Sequence, residues 1–504
     1  MASHPQPKCS SEPDASVPDK LSRKALRQIE FVVRQISRFQ RMSAQEIAGH
    51  LKKDPTNIFK YVPDPKGSGS LYCGGDGWAR LYSLTDTVLS LDPELAVQVS
   101  RQHAFNELRK AFTQCVLLPD RQPDLQVARK LLRHTLQLLR KSLTSAEHHF
   151  PCVMFVGGGV TKFSIGPVVF TKTRLFLRER RTQVSDGVEA STEANIRKVE
   201  QAVEKGYPRH RAYTPSESRK MSRDLLAGAI RQYRHFPWVA SVQVAPCDPA
   251  MSRERGYRAV ELSLHSLRVV LGADRTRLLR IAWEGPDAPL TAHLYTDTGG
   301  RIYSQLTRNF APGGGAWHEE LCKLETEVDV LGAAINRVVD PSRKTDLHQR
   351  MIDAIGWFGD AATDRVPSSA IVKYVTAVER LLFGARDQER KKSFVRRIHG
   401  VLDAFGSSAG ERTREDARQV YDKRSALLHG GISPESSELP RLVSKAEELS
   451  RICILCCTQL YPMMLSAFAQ HGERELDEVI ERVCANGVAW LAALGGWTLS
   501  QDTD

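Results

Sequence analysis

The chain has 504 residues, of which 41% are hydrophobic and 26% charged, a balance that excludes a globally disordered or collagen-like protein and leaves room for several domains. Its 71 Lys+Arg against 59 Asp+Glu give a net charge of +12, which favours polyanionic partners, nucleic acid or a membrane surface, without choosing between them. Ten cysteines are scattered from Cys9 to Cys484, the start carries no secretory apolar segment, and no apolar run approaches membrane-spanning length, so the expectation is a reducing cytoplasm and no membrane insertion.

Residues 1–19, rich in Pro, Ser and charge, read as a tail. Leu21, Ala25, Ile29, Val32, Ile36 and Phe39 recur at helical spacing, and Ser43-x-x-Glu46 is a capping box that opens a second helix. Asp54-Pro55 starts a third, expected to end near Val62, which makes 20–65 a small helical subdomain. Such a trio is compatible with a helix-turn-helix and DNA contact through residues 21–62, with Lys52, Lys53 and Lys60 toward phosphate. Lys66 to Ser70 reads as a linker, and the rest of 66–147 is mainly helical.

The texture then changes. Val153 to Val156, Lys162 to Phe170 and Trp238 to Val244 are strand-like, Leu290 to Tyr295 and Arg301 to Leu306 flank Asp297-Thr-Gly-Gly300 as a hairpin, and helices are expected at Met221 to Tyr233 and Ser252 to Leu271. Segment 148–312 is therefore a mixed α/β domain. Beyond Gly315, helices are predicted at Glu319 to Val339, Thr345 to Ala361, Ser369 to Phe383, Ser393 to Phe405, Thr413 to Leu428 and Leu442 to Ala467, so 316–470 is all-α, with a helix and tail over 471–504. The fold class expected is α+β multidomain: an N-terminal helical region, a central mixed α/β domain and a C-terminal helical bundle.

Three motifs fail on their chemistry. Gly157 to Lys162 has Thr before Lys and strand after it, the wrong order for a phosphate loop. Gly406-Ser-Ser408-Ala-Gly410 follows a helix, whereas a hydrolase elbow needs a strand. Cys453-Ile-Leu-Cys456 lies in an apolar run with no second ligand pair, and reads as packing. No metal or cofactor site is expected.

One stretch resists a bland explanation. In the helix from Thr413, a good N-cap, the residues Ala417, Val420, Tyr421, Leu427 and Leu428 form an apolar arc, and Gly430 or Gly431 supplies the terminating left-handed residue. At about 100° per residue, Arg424 falls within that arc and requires a carboxylate or phosphate. Glu379, inside the stripe of Ile371, Val375, Val378 and Leu382, offers the carboxylate. His429, five residues after Arg424, differs from it in direction by about 140°. Either the arginine is structural and the histidine a cap, or another surface completes a site. On the helix from Ser393, the residues Arg396 and His399, with the adjoining Lys392, share a polar flank compatible with an RNA backbone or with simple solvation.

The segment Tyr421-x-x-Arg424-Ser-x-x-x-His429-Gly430, preceded by Ala377-Val-Glu379-x-Leu-Leu, resembles the HEPN domains, specifically their Apea-like branch, over roughly residues 345–467. The resemblance implies a helical bundle that dimerises and, in many members, cleaves RNA without a metal ion, some in stress or phage-defence systems. It implies that Arg424 stabilises the charged phosphorane, that His429 acts as general acid or base on a ribose 2′-hydroxyl, and that Glu379 positions Arg424. It also places Tyr421 and Ser425 beside the RNA; Ser425 stands where many active members carry Asn, Asp or His. Other members bind nucleic acid or partners without cutting. The partners expected are RNA and a second copy of the chain, with DNA as the lesser alternative.

Overall fold

A computed structural model describes residues 17–53, 60–65, 69–119, 122–155, 159–180, 214–282, 290–296, 302–308, 316–343, 345–384, 390–406, 411–467 and 473–494, with short helical pieces between 186 and 201. The protein is rich in helix with a small sheet, and it divides into two compact units. The first comprises Met1–Ser145 with Pro246–Ser252, the second Ala146–Ala245 with Arg253–Asp504.

The first unit contains α1 (Asp19–Gln40), α2 (Ala44–Lys53), a hairpin of β1 (Tyr61–Pro63) and β2 (Ser70–Tyr72), then α3 (Gly74–Leu89), α4 (Pro93–Gln98), α5 (Arg101–Phe112) and α6 (Leu125–Ser142). Its core draws on Ala25, Ile29, Val32 and Ile36 of α1, the stripe predicted from spacing, packed with Leu84, Phe105, Phe112 and Leu132. The capping box before α2 forms as expected, with the Ser43 amide donating to Glu46 at 2.8 Å. The third helix does not end near Val62: Tyr61, Val62 and Pro63 pair antiparallel with Tyr72, Leu71 and Ser70, because an aromatic and β-branched run pairs better than it coils. Ser70, expected in a linker, is thus a strand residue; residues 54–59 and 66–68 lie outside the described part.

The second unit carries β3 (Thr144–Val153), β4 (Lys162–Ile165), β5 (Val168–Lys172), α7 (Thr173–Glu179), α8 (Pro215–Arg234), β6 (Trp238–Cys247), α9 (Pro249–Leu271), α10 (Ala273–Thr276) and β7 (Arg280–Ile281). The strands form one sheet in the order β4-β5-β6-β3-β7. A second hairpin, β8 (Leu290–Thr296) with β9 (Ile302–Arg308), pairs in register from Leu290 with Arg308, as the sequence predicts. The helices that follow are α11 (Trp317–Lys323), α12 (Glu325–Val339), α13 (Asp346–Thr363), α14 (Pro367–Leu382), α15 (Arg390–Ala404), α16 (Glu411–Leu428), α17 (Leu439–Ala467), α18 (Glu473–Asn486) and α19 (Ala489–Leu494). The single helix expected over Glu319 to Val339 breaks at Leu324, which frees Trp317 to stack on Phe155 at 4.8 Å while Leu331 and Ile335 stay buried one helix later. Contrary to the expectation that no apolar run approaches membrane-spanning length, helix α17 is long and apolar enough to cross a membrane, and most of its apolar window is buried inside the protein.

Sheet and helices meet at bare backbone. Gly166, at φ +54° in the β4–β5 turn, lies against Gly332 of α12, and a Cβ on Gly332 would fall 2.5 Å from the Gly166 amide nitrogen. Backbone cannot rotate away as a side chain does, so Gly332→Ala is expected to cost about 1–3 kcal/mol, read as a lower urea midpoint with unchanged slope.

A second notch lies between α9 and α13, where the buried His265 ring covers Gly359. Burial, and then the nearby Arg268 and Arg258, push the His265 pKa well below the usual imidazole range. Below about pH 6.5 the unfolded chain takes up a proton that the folded chain refuses, so stability present above that pH is lost as pH falls. The expected result is a difference in Tm between the parent and His265→Gln that changes between pH 7.5 and 5, the parent losing more on acidification.

Candidate functional site

The site is assembled on the C-terminal turn of α14. A helix ends with carbonyls that have no partner in the helix. Here Arg350 of α13 donates from one guanidinium nitrogen to the carbonyls of Arg380 at 3.1 Å and Phe383 at 2.8 Å, the Tyr461 hydroxyl donates to that of Leu381 at 2.8 Å, and Arg397 of α15 donates to that of Leu382 at 2.7 Å. Four consecutive carbonyls are thereby satisfied by side chains from three helices. Arg350 is 0% exposed and also binds Asp346 at 2.7 Å; Arg397 is 5% exposed, binds Asp477 and Glu481, and lies 4.5 Å over the Phe383 ring. Glu379 sits on the turn so fixed.

Glu379 accepts one hydrogen bond from Arg424 Nη2 at 3.2 Å, the pairing anticipated from two facing apolar stripes. The side chains are 11% and 22% exposed, so the pair lies at the rim of the core rather than within it. The Arg424 guanidinium also lies 5.6 Å from the Tyr421 ring, which is buried against Phe394 at 4.8 Å. Among the described residues, Arg424 makes no other side-chain hydrogen bond, and its Nε is buried without a partner. A guanidinium so placed retains donors beyond its one carboxylate contact.

Helix α16 ends as expected. Gly430 takes φ +72°, the Gly431 amide reaches back to the Ala426 carbonyl at 2.7 Å, and the His429 amide still bonds the Ser425 carbonyl at 3.1 Å. His429 is the exposed capping residue after Leu428, so the 140° of an ideal helix does not set its direction relative to Arg424. Ser425 is half-buried. Two expectations change: Thr413 lies inside the first turn, because the helix already begins at the acidic Glu411, favoured at a positive helix end, and Leu427 and Leu428 leave the core, with Leu428 53% exposed.

The flank proposed for RNA is engaged elsewhere. Arg396 grips Glu481 of α18 through two nitrogens, one at 2.7 Å, and His399 lies 3.1 Å from Asp403 and 3.4 Å from Arg414; Lys392 is exposed. The Arg396 bond, opposed by burial and aided by Arg397, holds the Glu481 carboxyl below its usual range. These three side chains do not form one open cationic row: Glu481 of α18 engages Arg396, and Asp403, four residues on in the same helix, engages His399. The buried Arg350 and Arg397, which hold the helix end that carries Glu379, are not singled out by the sequence motif around Arg424. No family model matches the chain, and neither curated proteins nor solved structures show a match to it.

Proposed function

We propose that the C-terminal helices form a HEPN-like bundle that cleaves RNA by attack of a ribose 2′-hydroxyl on the adjoining phosphodiester. In this reading the N-terminal helical region and the α/β segment select the substrate or sense a trigger. Arg424 meets the negative charge that develops on phosphorus, and Glu379 orients it. His429 exchanges the proton: as base it takes the 2′-hydroxyl proton, and as acid it protonates the departing 5′-oxygen. The products are a 2′,3′-cyclic phosphate and a 5′-hydroxyl. A second copy of the chain brings a second Arg424–His429 pair, so that base and acid stand on opposite sides of the scissile bond.

The observation that carries this proposal is the Arg424–Glu379 contact on a helix end fixed by Arg350, Tyr461 and Arg397, with His429 exposed on the adjoining cap. A positioned cation and an accessible imidazole on one helix and its cap suit phosphoryl chemistry. The partly buried Arg424–Glu379 contact is also compatible with a second reading, a non-catalytic interaction module in which the ion pair is a structural tie. Incubation of the full chain with mixed RNA in EDTA separates the two. Fragments ending in 2′,3′-cyclic phosphate are expected from a nuclease; fragments with 3′-hydroxyl ends would exclude this chemistry, and intact RNA would shift the weight to the module or to a nuclease awaiting its trigger.

A further inference from the structure

We infer that α1 is a docking strip for the phosphate backbone of a nucleic-acid duplex. Lys20, Arg23, Lys24, Arg27, Arg34, Arg38 and Arg41 are all exposed. At about 100° per residue they fall within roughly 100° of arc, opposite the buried Ala25, Ile29, Val32 and Ile36. From Lys20 to Arg41 the row is about 31 Å long at 1.5 Å per residue. The gap between Arg27 and Arg34 is occupied by Phe31, and the Arg80 guanidinium of α3 lies 5.3 Å over that ring, which continues the cationic row. Among the described residues, none of the seven has an ion pair or a side-chain hydrogen bond. Of the two acids of α1, Asp19 is held by Arg129 of α6, and the exposed Glu30, three residues after Arg27 and four before Arg34, stands at the edge of the row as its single neighbouring acid on this helix. Helix α6, which packs against α1, contains no acidic residue.

Like charges three and four residues apart oppose helix formation, and here seven cations repeat along the strip beside one adjoining acid of the helix, Glu30, an excess explained by an anion that arrives from outside. Three features select the partner. Five of the seven cations are arginines, whose planar forks bind phosphate oxygens in pairs. No large hydrophobic residue of α1 is exposed, so the face has nothing to insert into a lipid interface. The one aromatic ring within the row, Phe31, is half-buried with the Arg80 guanidinium over it, which disfavours stacking of an unpaired base and hence a single strand. A straight, rigid cationic row instead matches phosphates that are already held on the outside of a rigid duplex, without reading bases. This surface lies in the first unit and does not depend on the proposed chemistry at Arg424.

The test is the affinity of the full chain for a fluorescent 30-base-pair duplex, in DNA and RNA forms, between 50 and 200 mM salt, against the matching single strand and phosphatidylserine vesicles. With seven contacts, log Kobs against log salt is expected to slope by about −6 for the duplex. The triple variant Arg27→Gln, Arg34→Gln, Arg38→Gln is expected to lower that slope by about 3 and to weaken binding at least about tenfold at 150 mM salt, with an unchanged circular dichroism melt. A variant that binds the duplex like the parent would overturn the inference. So would tighter binding to the single strand, or capture by vesicles without binding to either duplex.

Discussion

Replacing His429 with Ala is expected to lower RNA cleavage by about 10²–10⁴-fold while leaving the thermal midpoint of the protein nearly unchanged. Both halves follow from placement. His429 is exposed at the cap of α16, and among the described residues its side chain has no hydrogen bond or ion pair, so its removal disturbs little packing. The cap itself is made by backbone, through Gly430 and the Gly431 to Ala426 bond, and survives the substitution. If His429 exchanges the proton, the chemical step loses its acid or base. Single-turnover cleavage alongside a circular dichroism melt checks both statements. Cleavage equal to the parent's would remove His429 from the chemistry, and a large fall in Tm would make it a structural cap.

Arg350→Met is expected to produce the largest loss of stability of any substitution near the site, about 3–5 kcal/mol. The methionine replaces much of the bulk, yet the carbonyls of Arg380 and Phe383 lose the donor that satisfies them, and Asp346 loses its partner. Each buried carbonyl left without a donor costs about 1–3 kcal/mol. The same helix end carries Glu379, so partial fraying also loosens the Arg424 contact. The urea midpoint measures the first effect. Cleavage in the absence of urea measures the second, which is expected to fall further than the remaining folded fraction explains. Arg424→Ala serves as the control: at 22% exposed, with one hydrogen bond at 3.2 Å, its loss is expected to cost no more than about 1–2 kcal/mol.

Much of this arrangement was legible in local pattern. The apolar spacing of α1, the capping box at Ser43, the β8–β9 hairpin and the termination of α16 at Gly430 each depend on neighbours along the chain, and each stands where the spacing puts it. The Arg424–Glu379 contact was also foreseeable, because each charge interrupts an apolar stripe. That signal was present more strongly elsewhere. Arg397 interrupts the stripe of Phe394, Ile398 and Val401, Arg350 interrupts that of Leu347, Met351 and Phe358, and both are buried more deeply than Arg424. Half of their acceptors are backbone carbonyls, which no residue type announces. Contacts between distant positions were invisible for a related reason: Glu481 neutralises Arg396 from another helix, and Gly332 meets Gly166 across a sheet-to-helix junction. The cationic row on α1 is periodic in the sequence, but the exposure of all seven side chains and their lack of partners among the described residues emerge only from the structure.

The central claim is that the chemistry runs through the ribose 2′-hydroxyl at this site. The most direct test is single-turnover cleavage, in EDTA, of an RNA carrying one 2′-deoxy nucleotide at its preferred cutting position. The account predicts that this linkage resists cleavage while the all-ribose control is cut there to a 2′,3′-cyclic phosphate. Cleavage at the deoxy linkage, or no cleavage of either substrate, would contradict it.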